Sequence, residues 1–307
     1  MKTNSPFKVL CLDGGGAKGV YTLGFLRALE SELGTPCSKL FDAIYGTSTG
    51  AIIASLLGLG KSADEALALY FEYVPSILKP RRPSKKSEAL AAAANKLFGT
   101  RTFSDFQTFV GIVATNWGAE RPLIFKSSVQ AAHGLQGSFV AGFGTTIAKA
   151  VQASCSASPF FDKCVLDLGA AGTVEVRDGG FSANNPSLFA IVDALKSCPP
   201  ENIRLLSVGV GLYPEPKRSI LSRLLRRIPT AHLLQKTLSI NANTTEKLVT
   251  LLCDKIMHLR INDTFESPEM ATDFLECNKA KLELLVQKGR DSFGNKQSEL
   301  LKLLKTP

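Results

Sequence analysis

Long apolar runs, leader segments, paired cysteines and well-placed histidines are all scarce in this 307-residue chain. No stretch approaches the ~18 apolar residues that a membrane-spanning helix needs. The longest candidate, Ala51 to Leu59, falls far short. A secretory leader is also missing: Met1 to Phe7 is polar, and the apolar run Val9 to Leu12 stops at Asp13. A cytoplasmic chain is therefore expected. The seven cysteines (Cys11, Cys37, Cys155, Cys164, Cys198, Cys253 and Cys277) are odd in number and irregular in spacing, with no C-x-x-C. That argues against a disulfide framework or a zinc site and for small reduced core residues. No calcium-loop pattern, internal repeat or low-complexity tail occurs. The three histidines, His133, His232 and His258, fall in a predicted loop, near a helix start and in a strand; none has the setting of a catalytic base.

What is present is a chain 45% hydrophobic, enough for a large core, with a net charge of +9. Such charge fits a polyanionic partner, phospholipid headgroups or a nucleotide, without choosing between them. The stretch around which the rest is organised is Gly46-Thr47-Ser48-Thr49-Gly50, between a strand-like run (Phe41 to Tyr45) and a helix-like run (Ala51 to Leu57). Gly-x-Ser-x-Gly in that setting is the pattern of a nucleophile elbow. The tight turn leaves no room for a Cβ at either glycine, and the following helix aims its N-terminal N–H groups at the serine. The alternative is a small-residue turn capping a helix at Thr47 or Ser48.

A second glycine cluster, Asp13-Gly14-Gly15-Gly16-Ala17-Lys18-Gly19, joins the strand Phe7 to Leu12 to a helix carrying Val20, Leu23, Leu26 and Leu29. The Walker spacing is absent. The dinucleotide fingerprint fits only as Gly14-x-Gly16-x-x-Gly19, with no clear acidic strand end about 20 residues later. An oxyanion hole remains, in which two or more N–H groups converge on one oxygen. Further along, a helix starts at Ser62, and Lys79 to Lys86 reads as an exposed basic loop, either a solvated linker or an anion contact. Ala89 to Leu97 reads as a helix, Phe109 to Asn116 and Leu123 to Lys126 as strands, and Gly134 to Gly144 as a loop beside the active site. A helix, Thr145 to Cys155, ends in the small residues Ser154 to Pro159. The strand Val174 to Arg177 runs into Asp178-Gly179-Gly180, Asn184-Asn185-Pro186 opens another helix, and Ile203 to Val210 is a buried strand. Lys217 to Ile228 is a basic amphipathic segment that fits a membrane surface or an ordinary surface helix. A long helix from His232, a strand Ile256 to Ile261 and a helical Phe274 to Leu304, broken near Gly289 to Gly294, complete the chain. This alternation predicts an α/β fold: a mainly parallel central sheet in three α/β/α layers, with a largely helical C-terminal part. The elbow, the glycine loop and Asp178 all fall at strand carboxyl ends, where open α/β sheets place their sites.

In that order, the glycine cluster, the elbow and Asp178-Gly179-Gly180 resemble the three motifs of patatin-like phospholipases. Asn184-Asn185-Pro186 and the segment ending at Pro159 are similar to that family too. The resemblance spans about residues 7 to 212 and implies a catalytic core over 1–212, with 213–307 a helical extension packed on it. It also implies an acyl hydrolase of membrane phospholipids working by a Ser–Asp dyad without cofactor or metal. Ser48 would be the nucleophile and Asp178 the base. Gly14, Gly15 and Gly16 would be oxyanion donors, and Lys18 would hold the loop or attract a phosphate. Asp13, Gly19, Gly46, Gly50, Gly179 and Gly180 would shape the motifs. The dyad requires a raised pKa at Asp178.

More narrowly, the run from Asp13 to Leu26 and the run from Gln152 to Ala157 resemble bacterial patatin-like effectors of cyclic-oligonucleotide anti-phage signalling. That branch implies a cyclic di- or trinucleotide activator, a homo-oligomer and action as a peripheral protein at the inner membrane; the Gly134 to Gly144 loop and the cost of unrestrained lipase activity to a cell lead to the further expectation of a resting site that is closed or disordered. No DNA or RNA duplex is an expected partner. Two other readings stay open: an unregulated soluble esterase or thioesterase, and a nucleotide-binding regulatory protein with a vestigial hydrolase site.

Overall fold

The computed structural model describes residues 5–132, 139–169, 172–214 and 228–305, without the side chains of 228–232. His133, the side chain of His232 and most of Lys217 to Ile228 lie outside the described residues.

One sheet organises the chain. Its strands are β1 (Phe7–Leu12), β2 (Ala43–Thr47), β3 (Phe109–Asn116), β4 (Arg121–Lys126), β5 (Cys164–Asp167), β6 (Thr173–Asp178), β7 (Ile203–Val208) and β8 (Met257–Ile261). Their order is β5-β6-β3-β2-β1-β7-β8, with β4 paired to β3 off this path. β1, β2, β3, β7 and β8 are parallel neighbours, and the central strands are buried and largely apolar because helices cover both faces. Successive side chains alternate between the layers. Leu10, Leu12 and Ile44 join the larger core, whereas Val9, Cys11 and Tyr45 pack with Ala190, Ile191 and Ala194 on the other face.

The sheet is mixed, which sharpens the expectation of a mainly parallel one. β4 and β6 both run antiparallel to β3. The pairing along β3 decides where the site forms. β2 pairs with β3 only as far as Thr47 opposite Val113, and β6 takes over from Asp178 opposite Ala114. β4 occupies the other edge of β3 across both stretches. β2 and β6 therefore meet head-on along one edge, carboxyl end to carboxyl end. Asp178 reaches the site from the opposite direction to the parallel strands rather than from their shared carboxyl edge.

The helices are α1 (Gly19–Leu33), α2 (Cys37–Leu40), α3 (Thr49–Gly58), α4 (Ala63–Leu78), α5 (Pro83–Phe98), α6 (Ile147–Ser154), α7 (Gly180–Ala183), α8 (Ser187–Ala194), α9 (Ile228–Leu252) and α10 (Lys279–Lys305). α4 starts at Ser62 through a reciprocal capping box with Glu65. Two boundaries differ from expectation. The basic stretch is a loop only as far as Arg82, because Pro83 takes the first position of α5, where its missing N–H costs nothing; Lys86 is buried. α10 runs unbroken through Gly289 and Gly294. A Cβ at Gly289 would lie 2.0 Å from the Tyr21 carbonyl oxygen, and one at Gly24 would lie 2.2 Å from that of Val286. These two glycines let α1 and α10 touch backbone to backbone, and the Tyr21 hydroxyl donates to Ser292 Oγ across the same contact at 2.8 Å.

Candidate active site

At the junction of β2 and α3 the chain turns through Ser48, which has φ 53° and ψ −119°. A non-glycine residue rarely holds a positive φ, and when it does the surrounding structure enforces it. Here a Cβ at Gly46 would lie 2.2 Å from the Gly50 oxygen, and one at Gly50 would lie 2.2 Å from the Leu12 oxygen. Only glycine fits at both positions. Ser48 makes no capping bond to α3, which removes the helix-cap alternative. Its hydroxyl donates instead to Asp178 Oδ2 at 2.7 Å.

Asp178 is buried. Its other oxygen accepts the Gly180 N–H at 2.7 Å. Burial drives its pKa up to about 6, against the lowering effect of the Gly180 N–H and the Ser48 hydroxyl. Both residues are held by the end of α6. Ser154 Oγ accepts the Ser48 N–H at 2.8 Å and donates to the Val113 carbonyl at 2.6 Å. The Ser156 and Ser154 carbonyls accept the N–H groups of Asp178 and Gly179. Taken by itself this small-residue segment reads as a place of close packing, and the resemblance gives Ser154 no role. The task of Ser154, one bond to the elbow and one to β3, has no local signature.

Gly15 and Gly16 line the cavity that contains Ser48 and Asp178. Gly14 does not serve as expected, because its N–H is taken by the Asn184 carbonyl at 3.1 Å. Gly16 has φ +58°, and a Cβ there would meet the Phe274 oxygen at 2.5 Å, so this turn also needs glycine. The loop is pinned from outside. Thr49 Oγ1 donates to the Gly16 carbonyl at 2.8 Å, as does the Tyr70 hydroxyl, and Asp13 pairs with Arg260 of β8 at 2.9 Å. Gly19 and Gly179 are close-packed against Thr49 and Val113. Arg260 was not anticipated, although a charge within the alternating run Ile256 to Ile261 is a signal that something acidic waits inside. His258 lies 2.8 Å from Glu246, and the Ser48 hydroxyl is bonded to Asp178 rather than to a histidine. The described part of the Gly134 to Gly144 loop packs on Phe103 and Phe125 and does not line the Ser48 cavity; 134–138 lie outside the described residues.

The cavity is a cleft open to solvent, with about 630 Å³ of empty space counting its mouth. One end presents Ser48, Asp178 and the glycine loop; the rest is apolar, with Ile52, Val74, Ile77, Leu90 and Phe160 supplied mainly by α3, α4 and α5. Cys155 also lines it, its thiol pushed well up by burial. A nucleophile and base at one end of a greasy pocket can cleave an ester whose acyl chain fills the rest. Among the described residues no helix is long and apolar enough to cross a membrane, and no cluster of three His, Cys, Asp or Glu side chains could hold a metal.

A family model described as patatin-like phospholipase matches residues 10–191. A cUMP-AMP-activated phospholipase of Escherichia coli is 50% identical over 97% of this chain and 93% of its own length. A cGAMP-activated phospholipase of Escherichia coli (strain TW11681) is 29% identical over 70% of this chain and 65% of its own length. Among solved structures, VipD from Legionella pneumophila has a TM-score of 0.51 at 13% identity, covering 96% of this chain and 67% of that one, a likeness of fold.

Proposed function

The chain belongs to the patatin-like phospholipase family of hydrolases, and we propose that it cleaves acyl esters of membrane phospholipids through Ser48 and Asp178 when a cyclic dinucleotide switches it on. The observation that carries the chemistry is the 2.7 Å bond from the Ser48 hydroxyl to a buried Asp178 whose second oxygen is fixed by Gly180. Ser48 Oγ bonds to the ester carbonyl carbon as its proton passes to Asp178. Negative charge then gathers on the carbonyl oxygen, beside the Gly15–Gly16 backbone and the N-terminus of α3. The bond to the lysolipid oxygen breaks, and Asp178 returns the proton to that leaving group. Water attacks the acyl-serine with Asp178 as base, and the fatty acid leaves as Ser48 recovers its proton. A carboxylic acid held near pKa 6 by burial can run this cycle without histidine.

Nucleotide control rests on the 50% identical cUMP-AMP-activated relative, which this chain matches along nearly its whole length. The apolar cavity and the net charge of +9 favour an anionic bilayer as the source of substrate. The test is fatty-acid release from phosphatidylethanolamine–phosphatidylglycerol vesicles, with and without cyclic UMP–AMP, by the wild type and Ser48→Ala. Release that requires both the nucleotide and Ser48 supports the reading. Release without nucleotide removes the switch, and release by Ser48→Ala removes the nucleophile.

A further inference from the structure

A second, smaller cleft open to solvent lies beside the first, and its chemistry is different. Asp13, Gly14, Lys18 and Asn184 line its inner side; the rest of its lining comes from beyond residue 191, where the family match ends. This outer wall is the ends of β7 and β8, the Phe274 segment and α9, which contributes Ser239 and Asn243. Asn184, Leu238 and Phe274 line both cavities and form the wall between them.

Lys18 is only 4% exposed. Its ammonium faces the rings of Tyr213 and Phe274, with the centroids 5.8 and 5.5 Å away. Among the described residues its ammonium makes no hydrogen bond and no ion pair within 4.0 Å, although the Asp273 carboxylate is near enough to act on its charge. Asp13, the acid in the same cavity, is taken by Arg260, Glu246 pairs with His258, and Asp273 accepts the Leu275 N–H. Burial lowers the Lys18 pKa to about 8, partly offset by Asp273. A largely buried cation with no acceptor in hydrogen-bond range is costly, and an anion placed against it recovers part of that cost as a charge-assisted hydrogen bond. Asn184, which lines the cleft, has a buried Oδ1 without a partner, an acceptor that suits a sugar hydroxyl or a base amine. Asn262 Oδ1 accepts the Gly211 N–H at 2.9 Å, which leaves its NH₂ as a donor. The polar groups facing the cleft are thus an ammonium, side-chain amides and a serine hydroxyl.

We propose that this cleft seats a phosphodiester of the activating cyclic dinucleotide, with the phosphate on Lys18 and the adjoining sugar or base against Asn243 and Asn262. The inference rests on the nucleotide-activated reading above and supplies its site. A headgroup phosphate linked to an ester under attack would have to share the Ser48 cavity, which Lys18 does not line. The cleft is also wired to the active site. The Asn184 carbonyl accepts the Gly14 N–H, its Nδ2 donates to the Gly14 carbonyl at 3.2 Å, and its own N–H donates to Asn241 of α9 at 2.7 Å. A ligand drawn in between α9 and Lys18 therefore bears on the residue that holds the glycine loop beside Ser48.

The experiment is calorimetric titration of the full chain with cyclic UMP–AMP, comparing wild type, Lys18→Gln and Asn243→Asp. Lys18→Gln removes the cation. Asn243→Asp sits at the exposed rim of the cleft and sets a carboxylate against the phosphate without disturbing the core. Each is expected to weaken binding by about tenfold or more, the usual consequence of losing a charge-assisted bond, with thermal melts showing that Asn243→Asp remains folded. Wild-type chain that binds no cyclic dinucleotide overturns the activation reading and this site together. Wild-type binding that both variants match overturns this site and leaves activation standing. Unchanged nucleotide binding with a raised KM for phosphatidylglycerol vesicles assigns the cleft to lipid phosphate and overturns the proposal.

Discussion

Replacing Asp178 with asparagine should abolish hydrolysis and at the same time make the protein more stable. Burial holds the Asp178 carboxyl at about 6, against an ordinary value of 3.8. Between those values the unfolded chain gives up its proton while the folded chain keeps it. The unfolded state then binds fewer protons, so stability falls as pH rises through this window. Above the folded value the full penalty applies, roughly 3 kcal/mol at about 1.4 kcal/mol per pKa unit. Asparagine has the same shape and no charge. Its carbonyl oxygen can still accept the Gly180 N–H, and its NH₂ can face the Ser48 oxygen. Asp178→Asn is therefore expected to gain on the order of 1–3 kcal/mol at pH 8, a rise of a few degrees in Tm for a chain of this size. The gain should shrink as pH falls and vanish only below the ordinary value of 3.8, where the unfolded carboxyl is protonated as well. Thermal melts of wild type and variant from about pH 3 to 8 measure it. A variant less stable than wild type at pH 8, or a difference independent of pH, would refute the claim that the folded protein holds this carboxylate at a cost.

Other outcomes follow from the same geometry. Because Asp178 must be ionised to accept the serine proton, kcat/KM should fall about tenfold per pH unit below about 6 and level off above about 7, read from a pH–rate profile under saturating activator. Arg260→Met strands the buried Asp13 and should cost about 3–5 kcal/mol in a denaturant melt, with Asp13→Asn added to it recovering part of the loss. Gly289→Ala forces a Cβ to within 2.0 Å of the Tyr21 carbonyl and should lower stability by at least ~2 kcal/mol, whereas Gly294→Ala, which meets nothing, should be neutral or slightly stabilising. Leu90→Trp, which fills the apolar cavity away from Ser48, should raise KM for long acyl chains more than for short ones in a chain-length series.

Features that arise within a few residues were legible before any coordinates. Strand, three glycines and helix could be read in order around Gly14 to Gly16, as could the Ser48 elbow, because each is a backbone requirement written in residues that satisfy it locally. Asp178 was singled out by its turn, and the resemblance supplied its partner. What escaped depends on contacts far apart in the chain. The head-on meeting of β2 and β6 is a property of where each strand leaves β3, and nothing near Thr47 or Asp178 encodes it. Gly14 carries the same residue type as Gly15 and Gly16, yet its N–H is spent on Asn184, 170 residues away. Gly289 reads as a helix breaker until α1 is placed against it. Arg260 and Ser154 each hold a partner supplied by a distant element. Pro83 stood inside a charged run and was read with its neighbours rather than as the first residue of α5.

Hydrolysis by this site requires above all that Ser48 be the group that Asp178 activates. The most direct measurement is intact-mass and peptide mass spectrometry of the activator-saturated protein after brief exposure to a long-chain alkyl fluorophosphonate. A single adduct on Ser48 is predicted, absent in Ser48→Ala and formed at least ~100-fold more slowly in Asp178→Asn. An adduct on another residue, or one that forms on Ser48 at an undiminished rate without Asp178, would contradict it.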